Sequence, residues 1–156
     1  MEYDSTKDTA EHIANVRRYI LYCINELNER AKDHDHDKID NPTEKALFDE
    51  YTPKLRNCTY GSEEYQYYLE NLKEGLAIHY ANNRHHPEHF ENGMKGMNLI
   101  DIVEMLCDWK AASERHADGD IFKSIEINQK RFGYSEDIKW LLRNTATLLV
   151  DNVKKE

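Results

Sequence analysis

Apolar side chains at helical spacing restrict the fold of this sequence more than any other feature. Between Thr6 and Ala31 they recur at intervals of three and four residues, which places them on one face of an amphipathic helix. The members of this stripe are Ile13, Val16, Ile20, Cys23, Ile24, Leu27 and Ala31. His12 lies about 40° from Val16 on the helical wheel, at about 100° per residue. The pattern therefore predicts that His12 lies at the buried edge of this helix.

Cap and turn signals divide the rest of the chain into further helices. Asn41-Pro42-Thr43-Glu44 is typical of a helix start, and we expect this helix to end before Pro53, because proline disrupts a helix interior. Ser62 is predicted to cap the next helix, whose inward stripe runs to His79 and which the pair His85-His86 ends. The later predicted helices are 97–115, 120–131 and 135–153.

The fold class follows from this periodicity together with the length of the chain. No segment shows the alternation of period two that a strand requires, so the sequence predicts an all-α architecture. The 156 residues suffice for one domain with one hydrophobic core. We therefore expect a single-domain bundle of about six helices that spans residues 1–156.

Charge and hydropathy exclude several classes of partner. The 21 basic and 30 acidic side chains give a formal charge of -9, which disfavours extended nucleic acid as a partner. No apolar run approaches the roughly 20 residues that cross a bilayer, and no signal peptide is recognisable. We expect a cytoplasmic protein without membrane contact. Cys23, Cys58 and Cys107 lie far apart, which predicts neither a disulfide framework nor a cysteine zinc site.

Two short segments hold six of the eight histidines, and they are the clearest chemical signal in the sequence. "KDHDHDK" at 32–38 contains two histidines, and "HYANNRHHPEHF" at 79–90 contains four. In the second segment His79 continues an inward stripe, whereas Pro87 diverts the chain before His89. We therefore expect His79 and the pair that follows it, but not His89, to share a site.

An acidic stripe is predicted on the helix 97–115. Asp101, Glu104 and Asp108 are spaced by three and four residues and lie among apolar neighbours. Carboxylates in such a setting need a metal ion or a basic partner. Imidazoles and carboxylates together suit manganese, iron, cobalt, nickel or zinc.

The order of these residues resembles the HD-domain superfamily of metal-dependent phosphohydrolases. "EHIANV" contains His12, "HDHDK" fits the pattern H-D-x-x-K from His34 to Lys38, and "CDWKAA" contains Asp108. From about His12 to Ala112 the chain more closely resembles a family of small bacterial and phage proteins of unknown function. The motifs "HDHDK", "HYANNRHH" and "EMLCDWKAA" carry this second resemblance.

The doubled "HDHD" leaves the register of the first motif open. His36-Asp37 could supply the histidine–aspartate pair instead of His34-Asp35. We prefer His34-Asp35, because only this pair places Lys38 at the fourth position of the motif.

The resemblance implies an HD-like helical domain with a centre of two divalent transition metals. Asp35 would bridge the two ions, and Lys38 would contact phosphate oxygens. Arg84 is a second candidate for phosphate contact only because it adjoins His85 in the sequence. Asn83 would orient a ligating histidine, and Glu104 would support a ligand or act as a general acid. The implied ligands of the first ion are His12, His34, Asp35 and Asp108, and those of the second are Asp35, His79 and one of His85 or His86.

The implied reaction is attack of a metal-activated water on a nucleotide or another small phosphate ester. If a phage encodes the protein, the reaction would take place in the host cytoplasm. Mixed-valent di-iron oxygenases share the same ligand order on the same scaffold, so the sequence leaves that activity open. A third hypothesis is a non-catalytic protein that binds a nucleotide. Helical members of the superfamily often pair, and the sequence does not decide between a monomer and a homodimer.

Overall fold

The computed structural model describes residues 4–58, 62–115 and 119–152, which contain helices and no strand. The all-α prediction is therefore confirmed. The helices are α1 (Thr6–Asp33), α2 (Asp37–Asp40), α3 (Pro42–Asn57), α4 (Glu63–Asn82), α5 (Leu99–Ser113), α6 (Ile121–Phe132) and α7 (Glu136–Asn152), with 3₁₀ helices at Pro87–His89 and Gly93–Gly96. The predicted helix end at residue 153 lies outside the described ranges. None of the helices in those ranges is both long and apolar enough to span a bilayer.

The described residues divide into two compact units, of which the first ends at His34 and the second begins at Asp35. The prediction of one domain over residues 1–156 therefore stays a prediction. The first unit is essentially the helix α1, along which no side chain is buried. His12 is exposed, so the prediction of a buried edge is wrong. The physical reason is that a single helix has no second element in its own unit to cover its apolar stripe.

The hydrophobic core of the second unit lies between α5, α6 and α7. Its buried members are Met105, Leu106, Ile121, Ile125, Tyr134, Leu142 and Ala146. The Tyr134 hydroxyl donates a hydrogen bond to the carbonyl oxygen of Ile125 at 2.5 Å, which satisfies the one polar group of this ring in the core. Asn98 and Asp101 form a capping box that fixes the start of α5.

Helices α3 and α4 pack closely against each other in the same unit. A Cβ atom at Gly75 would lie 3.3 Å from the side chain of Leu47, so the absence of a side chain permits this approach. The prediction that α3 ends before Pro53 is wrong, because the helix continues to Asn57. Tyr51 and Lys54, on either side of the proline, both contact the Tyr68 ring of α4. These contacts offset the hydrogen bond that proline removes.

Candidate metal centre

Four side chains of the second unit converge on one point. Asp35, His79, His85 and His86 each offer a ligand atom, and these atoms all lie within 4.8 Å of one another. The Asp35 Oδ1 atom is 3.2 Å from Nε2 of His79 and 3.4 Å from Nε2 of His85. The Nε2 atoms of His79 and His86 are 2.9 Å apart. Three imidazoles and one carboxylate form a donor set that suits divalent transition metals.

Asp35 occupies a tight turn between the end of α1 and the start of α2. Its φ of 58° lies in the left-handed region, which aspartate tolerates better than most residues. Its side chain accepts an ion-paired hydrogen bond from the Lys38 ammonium at 2.7 Å. Burial opposes its ionisation, but hydrogen bonds from His79, His85 and Lys38 hold the pKa of Asp35 well below its usual range. Asp35 is therefore an ionised carboxylate at neutral pH.

His79 projects from α4, and its side chain is 1% exposed. The inward stripe that led to His79 in the sequence is thus present in the structure. Its Nδ1 atom faces Asp37 Oδ2 at 3.0 Å and Glu44 Oε1 at 2.9 Å. Nε2, on the opposite side of the ring, faces Asp35 Oδ1 and His86 Nε2, and carboxylates at Nδ1 would hold the proton there once a cation occupied Nε2.

Asn83 supports the same arrangement from the end of α4. Its side-chain amide donates to Asp37 and, at 2.9 Å, to the carbonyl oxygen of His79. Asn83 thus lies beside a candidate ligand, as the resemblance implies. The amide connects α4 to the start of α2 and holds Asp37 against the imidazole.

Glu44 is the residue that the sequence reasoning missed. The sequence pattern indicates only that Glu44 belongs to a helix start, yet its side chain is fully buried on α3. Its Oε2 atom has no hydrogen-bond donor among the described residues. Burial and the neighbouring Asp37 carboxylate raise the pKa of Glu44. A signal was present, because Glu44 shares a helical face with Phe48 and Tyr51 and an acid on such a face needs a partner.

The choice between Asp35 and Asp37 has an unexpected outcome. Both carboxylates contact His79, Asp35 on the side of Nε2 and Asp37 on the side of Nδ1. His36, the other half of the alternative pair, is exposed. Helical periodicity could not predict that the two carboxylates contact opposite nitrogens of the ring, because α2 has only four residues.

His85 and His86 follow α4 rather than end it, since the helix stops at Asn82. The prediction of a helical pair is therefore wrong. Asn83 takes the cap position with an extended backbone, and Pro87 then starts a 3₁₀ helix. The turn between Asn83 and Pro87 brings the rings of His85 and His86 to a centroid distance of 4.1 Å, so both can face one centre.

The pKa values of His85 and His86 are shifted in opposite directions. Burial disfavours the charged form of His85, but hydrogen bonds to Asp35 and Glu104 raise its pKa to about 9, so a metal ion at its Nε2 would displace a proton. Burial and the positive charge of neighbouring His85 lower the pKa of His86 to about 2. His86 is therefore neutral at pH 7 and has a lone pair available. Glu104 Oε1 lies 3.1 Å from His85 Nδ1, in the place of a ligand-orienting carboxylate.

The remaining predicted ligands differ in their position. Asp108 is half-buried, and one of its oxygens lies within 4.8 Å of an Asp35 oxygen. His12 and His34 belong to the first unit, where His12 lies along α1 and His34 caps its end. Their role as metal ligands stays a prediction.

Arg84 provides the basic partner that the acidic stripe required. Its Nε and one terminal nitrogen donate to the two oxygens of Asp101 at 3.1 and 3.0 Å. Asp101 is fully buried and also accepts the backbone N–H of Asn98. Arg84 further lies over the Phe90 ring at 4.9 Å. These contacts give Arg84 a structural role, and its contact with phosphate stays a prediction.

Replacing Arg84 tests that structural role. We expect Arg84→Met to lower the free energy of unfolding by about 1–3 kcal/mol, because a buried carboxylate loses both guanidinium donors. Lys73→Met is the matched control, since Lys73 pairs with Glu70 on the surface and both side chains are 72% exposed. The control should change stability by about 0.5 kcal/mol or less. Equal stability of the two variants in urea denaturation would contradict the structural role.

Comparison with known proteins yields one match. No curated protein and no solved structure matches the chain. A family model matches residues 1–155, almost the whole sequence. The chain therefore belongs to the family of unknown function DUF5662.

Proposed function

We propose that this protein is a cytoplasmic, metal-dependent phosphohydrolase that acts on a nucleotide or another small phosphate ester. The observation that carries the proposal is the convergence of Asp35, His79, His85 and His86 within 4.8 Å. Two of the three imidazoles are almost completely buried, at 1% exposure each. Desolvating polar rings in this way costs free energy unless they gain partners, and a metal ion would be such a partner.

The electrostatics of the surrounding residues support a cation at this point. Asp35, Asp37 and Glu44 all lie within 3.2 Å of a ring nitrogen of His79. Glu44 Oε2 also has no donor in the described part of the chain. Gathering carboxylates around one buried ring is unfavourable without added positive charge. A divalent ion supplies that charge at Nε2, while Asp37 and Glu44 hold the opposite nitrogen.

The residues fit manganese, iron, cobalt, nickel or zinc, which accept mixed nitrogen and oxygen donors. A bound metal of this kind supplies a nucleophilic water at neutral pH and polarises a phosphoryl oxygen. The resemblance to HD-domain enzymes implies a second ion, for which Asp35 would bridge. Within the same unit, Asp108 would be a further ligand, since one of its oxygens lies within 4.8 Å of an Asp35 oxygen.

The chain contributes the rest of the chemistry through its own side chains. Lys38 Nζ lies 2.7 Å from Asp35, so its ammonium is held next to the centre, where it would attract a phosphate oxygen. This lysine favours a phosphate ester over a substrate without negative charge. Glu104 would keep the His85 ring in position through its contact with Nδ1.

Substitution of His79 tests the activity and the centre together. The protein with manganese, cobalt or nickel should release phosphate from at least one member of a panel of nucleotides and small phosphate esters. His79→Gln should reduce metal affinity and turnover by about 100-fold or more, because it removes a ligand and its supporting contacts. His36→Gln, an exposed histidine nearby, is the matched control and should behave as the wild type.

Four outcomes would contradict the proposal in whole or in part. Undiminished turnover in His79→Gln would exclude this centre, and loss of activity in His36→Gln would favour the other register. Iron with a mixed-valent paramagnetic signal and no phosphate release would favour an oxygenase. Tight nucleotide binding with unchanged ligand recovered afterwards would indicate a binding protein.

Glu44 offers a separate test of how the centre is organised. Glu44→Gln retains the size of the side chain but removes the negative charge at His79 Nδ1. We expect metal affinity to fall by about 10- to 100-fold, as is usual when a carboxylate behind a ligating histidine is lost. Titration calorimetry measures the effect, and Glu50→Gln on the exposed side of α3 is the control. Unchanged affinity in Glu44→Gln would show that Glu44 does not orient His79.

A further inference from the structure

A cavity of about 530 Å³ adjoins the candidate metal centre. It is lined by His86 and Asp108 on the side of the centre and elsewhere mainly by residues of α5 and α6, with Tyr80 of α4 and two residues of the first 3₁₀ helix. We call it the Trp109 cavity. Because it includes a candidate ligand in its wall, a molecule bound to the metal would extend into it.

One wall of the Trp109 cavity is aromatic and fixed in orientation. The rings of Trp109 and Phe132 are parallel to within 6°, with centroids 6.2 Å apart, and both line the cavity. Trp109 is half-buried and packs against the hydrophobic core. A rigid aromatic surface at a binding cavity suits a flat heteroaromatic ring.

Polar side chains lie on the same cavity. Asn128 and Ser124 project from α6, and Ser113 from the end of α5. The Asn128 amide nitrogen lies 3.4 Å from Ser124 Oγ, while its carbonyl oxygen can accept a hydrogen bond. An amide beside an aromatic wall can pair with the edge of a nucleobase that stacks on that wall.

The charged side chains that line the cavity disfavour a ligand with several phosphate groups. Arg131 is already paired with Glu88 at 2.5 Å. Lys123 is the one lining cation for which the described residues provide no acidic partner. Asp108 and Asp120 also line the cavity, so the wall as a whole carries no excess of positive charge. A triphosphate chain would find little compensation here beyond the metal centre.

We infer that the Trp109 cavity binds the base of a nucleoside monophosphate whose phosphate lies at the metal centre. This inference rests on the proposed function and specifies its substrate. Water would add to phosphorus and the ester bond between phosphorus and the 5′ oxygen would break. The departing oxygen would take a proton, so that the products are a nucleoside and inorganic phosphate.

Fluorescence tests the position of the base without relying on turnover. The chain has two tryptophans, and Trp140 is 57% exposed on α7. In Trp140→Leu the emission comes from Trp109 alone, and we expect adenosine and guanosine monophosphate to quench it in the manganese-loaded protein. Ribose 5-phosphate, which lacks a base, should not quench. Equal quenching by ribose 5-phosphate, or none by any nucleotide, would overturn the inference.

Kinetics tests the same inference by comparing substrates and variants. We expect kcat/KM for a nucleoside monophosphate to exceed that for ribose 5-phosphate by about 10-fold or more, given the usual contribution of base stacking. It should also exceed that for the triphosphate, because the cavity wall carries no excess of positive charge. Trp109→Leu should remove the preference over ribose 5-phosphate, whereas Trp140→Leu should keep it. Asn128→Ala should raise KM with little change in kcat. This variant provides a second test of the cavity if Trp109→Leu does not fold.

The results separate this inference from the proposed function. Phosphate release from all esters alike, with no effect of Trp109→Leu, would overturn the base-binding cavity and leave the hydrolase intact. Base-dependent quenching without any phosphate release would support the cavity and contradict the hydrolase. A preference for triphosphates would overturn the inference of a monophosphate.

Discussion

The second unit is organised around the burial of one imidazole, that of His79. A ring that is 1% exposed must find partners for both nitrogens, because an unsatisfied buried polar group costs about 1–3 kcal/mol. The partners come from several parts of the chain: Asp35 from the turn before α2, Asp37 from α2, Glu44 from α3 and His86 from the turn after α4. The positions of these elements thus depend on one side chain.

The charges around the His79 ring favour a bound metal ion, independently of any resemblance to a known family. Asp37 and Glu44 both face Nδ1, which has room for one proton. On the other side, Asp35 is ionised and faces His79 and the positively charged His85, while Lys38 adds a second positive charge. A divalent cation at Nε2 would convert repulsion among carboxylates into attraction to a common centre.

Much of the fold could be predicted from the sequence because local signals agreed with the final packing. Ser62 caps α4 as expected, and the stripe on α4 leads to a buried His79. Local signals were insufficient where tertiary contacts decide the outcome. Pro53 lies inside a helix because side chains on both sides of it pack on α4. The stripe of α1 marked an apolar face but could not provide the element that would cover it.

The candidate site was predictable to a similar extent. Motifs indicated Asp35, His79 and the pair at 85–86, since their order follows a known pattern. Glu44 carries no motif, and its role arises only when α3 packs against α4 near Gly75. The pairing of Arg84 with Asp101 likewise joins residues 17 positions apart, so no periodicity within one helix could reveal it.

Anomalous diffraction from crystals of the manganese-loaded protein tests most directly whether a metal ion binds at the candidate centre. Data collected on both sides of the manganese absorption edge locate the ion independently of any enzymatic assay. We expect a peak in direct contact with Asp35, His79, His85 and His86, at about 2.0–2.3 Å from the donor atoms. A peak held only by surface carboxylates, or a His79 ring that contacts no metal in the loaded crystal, would contradict it.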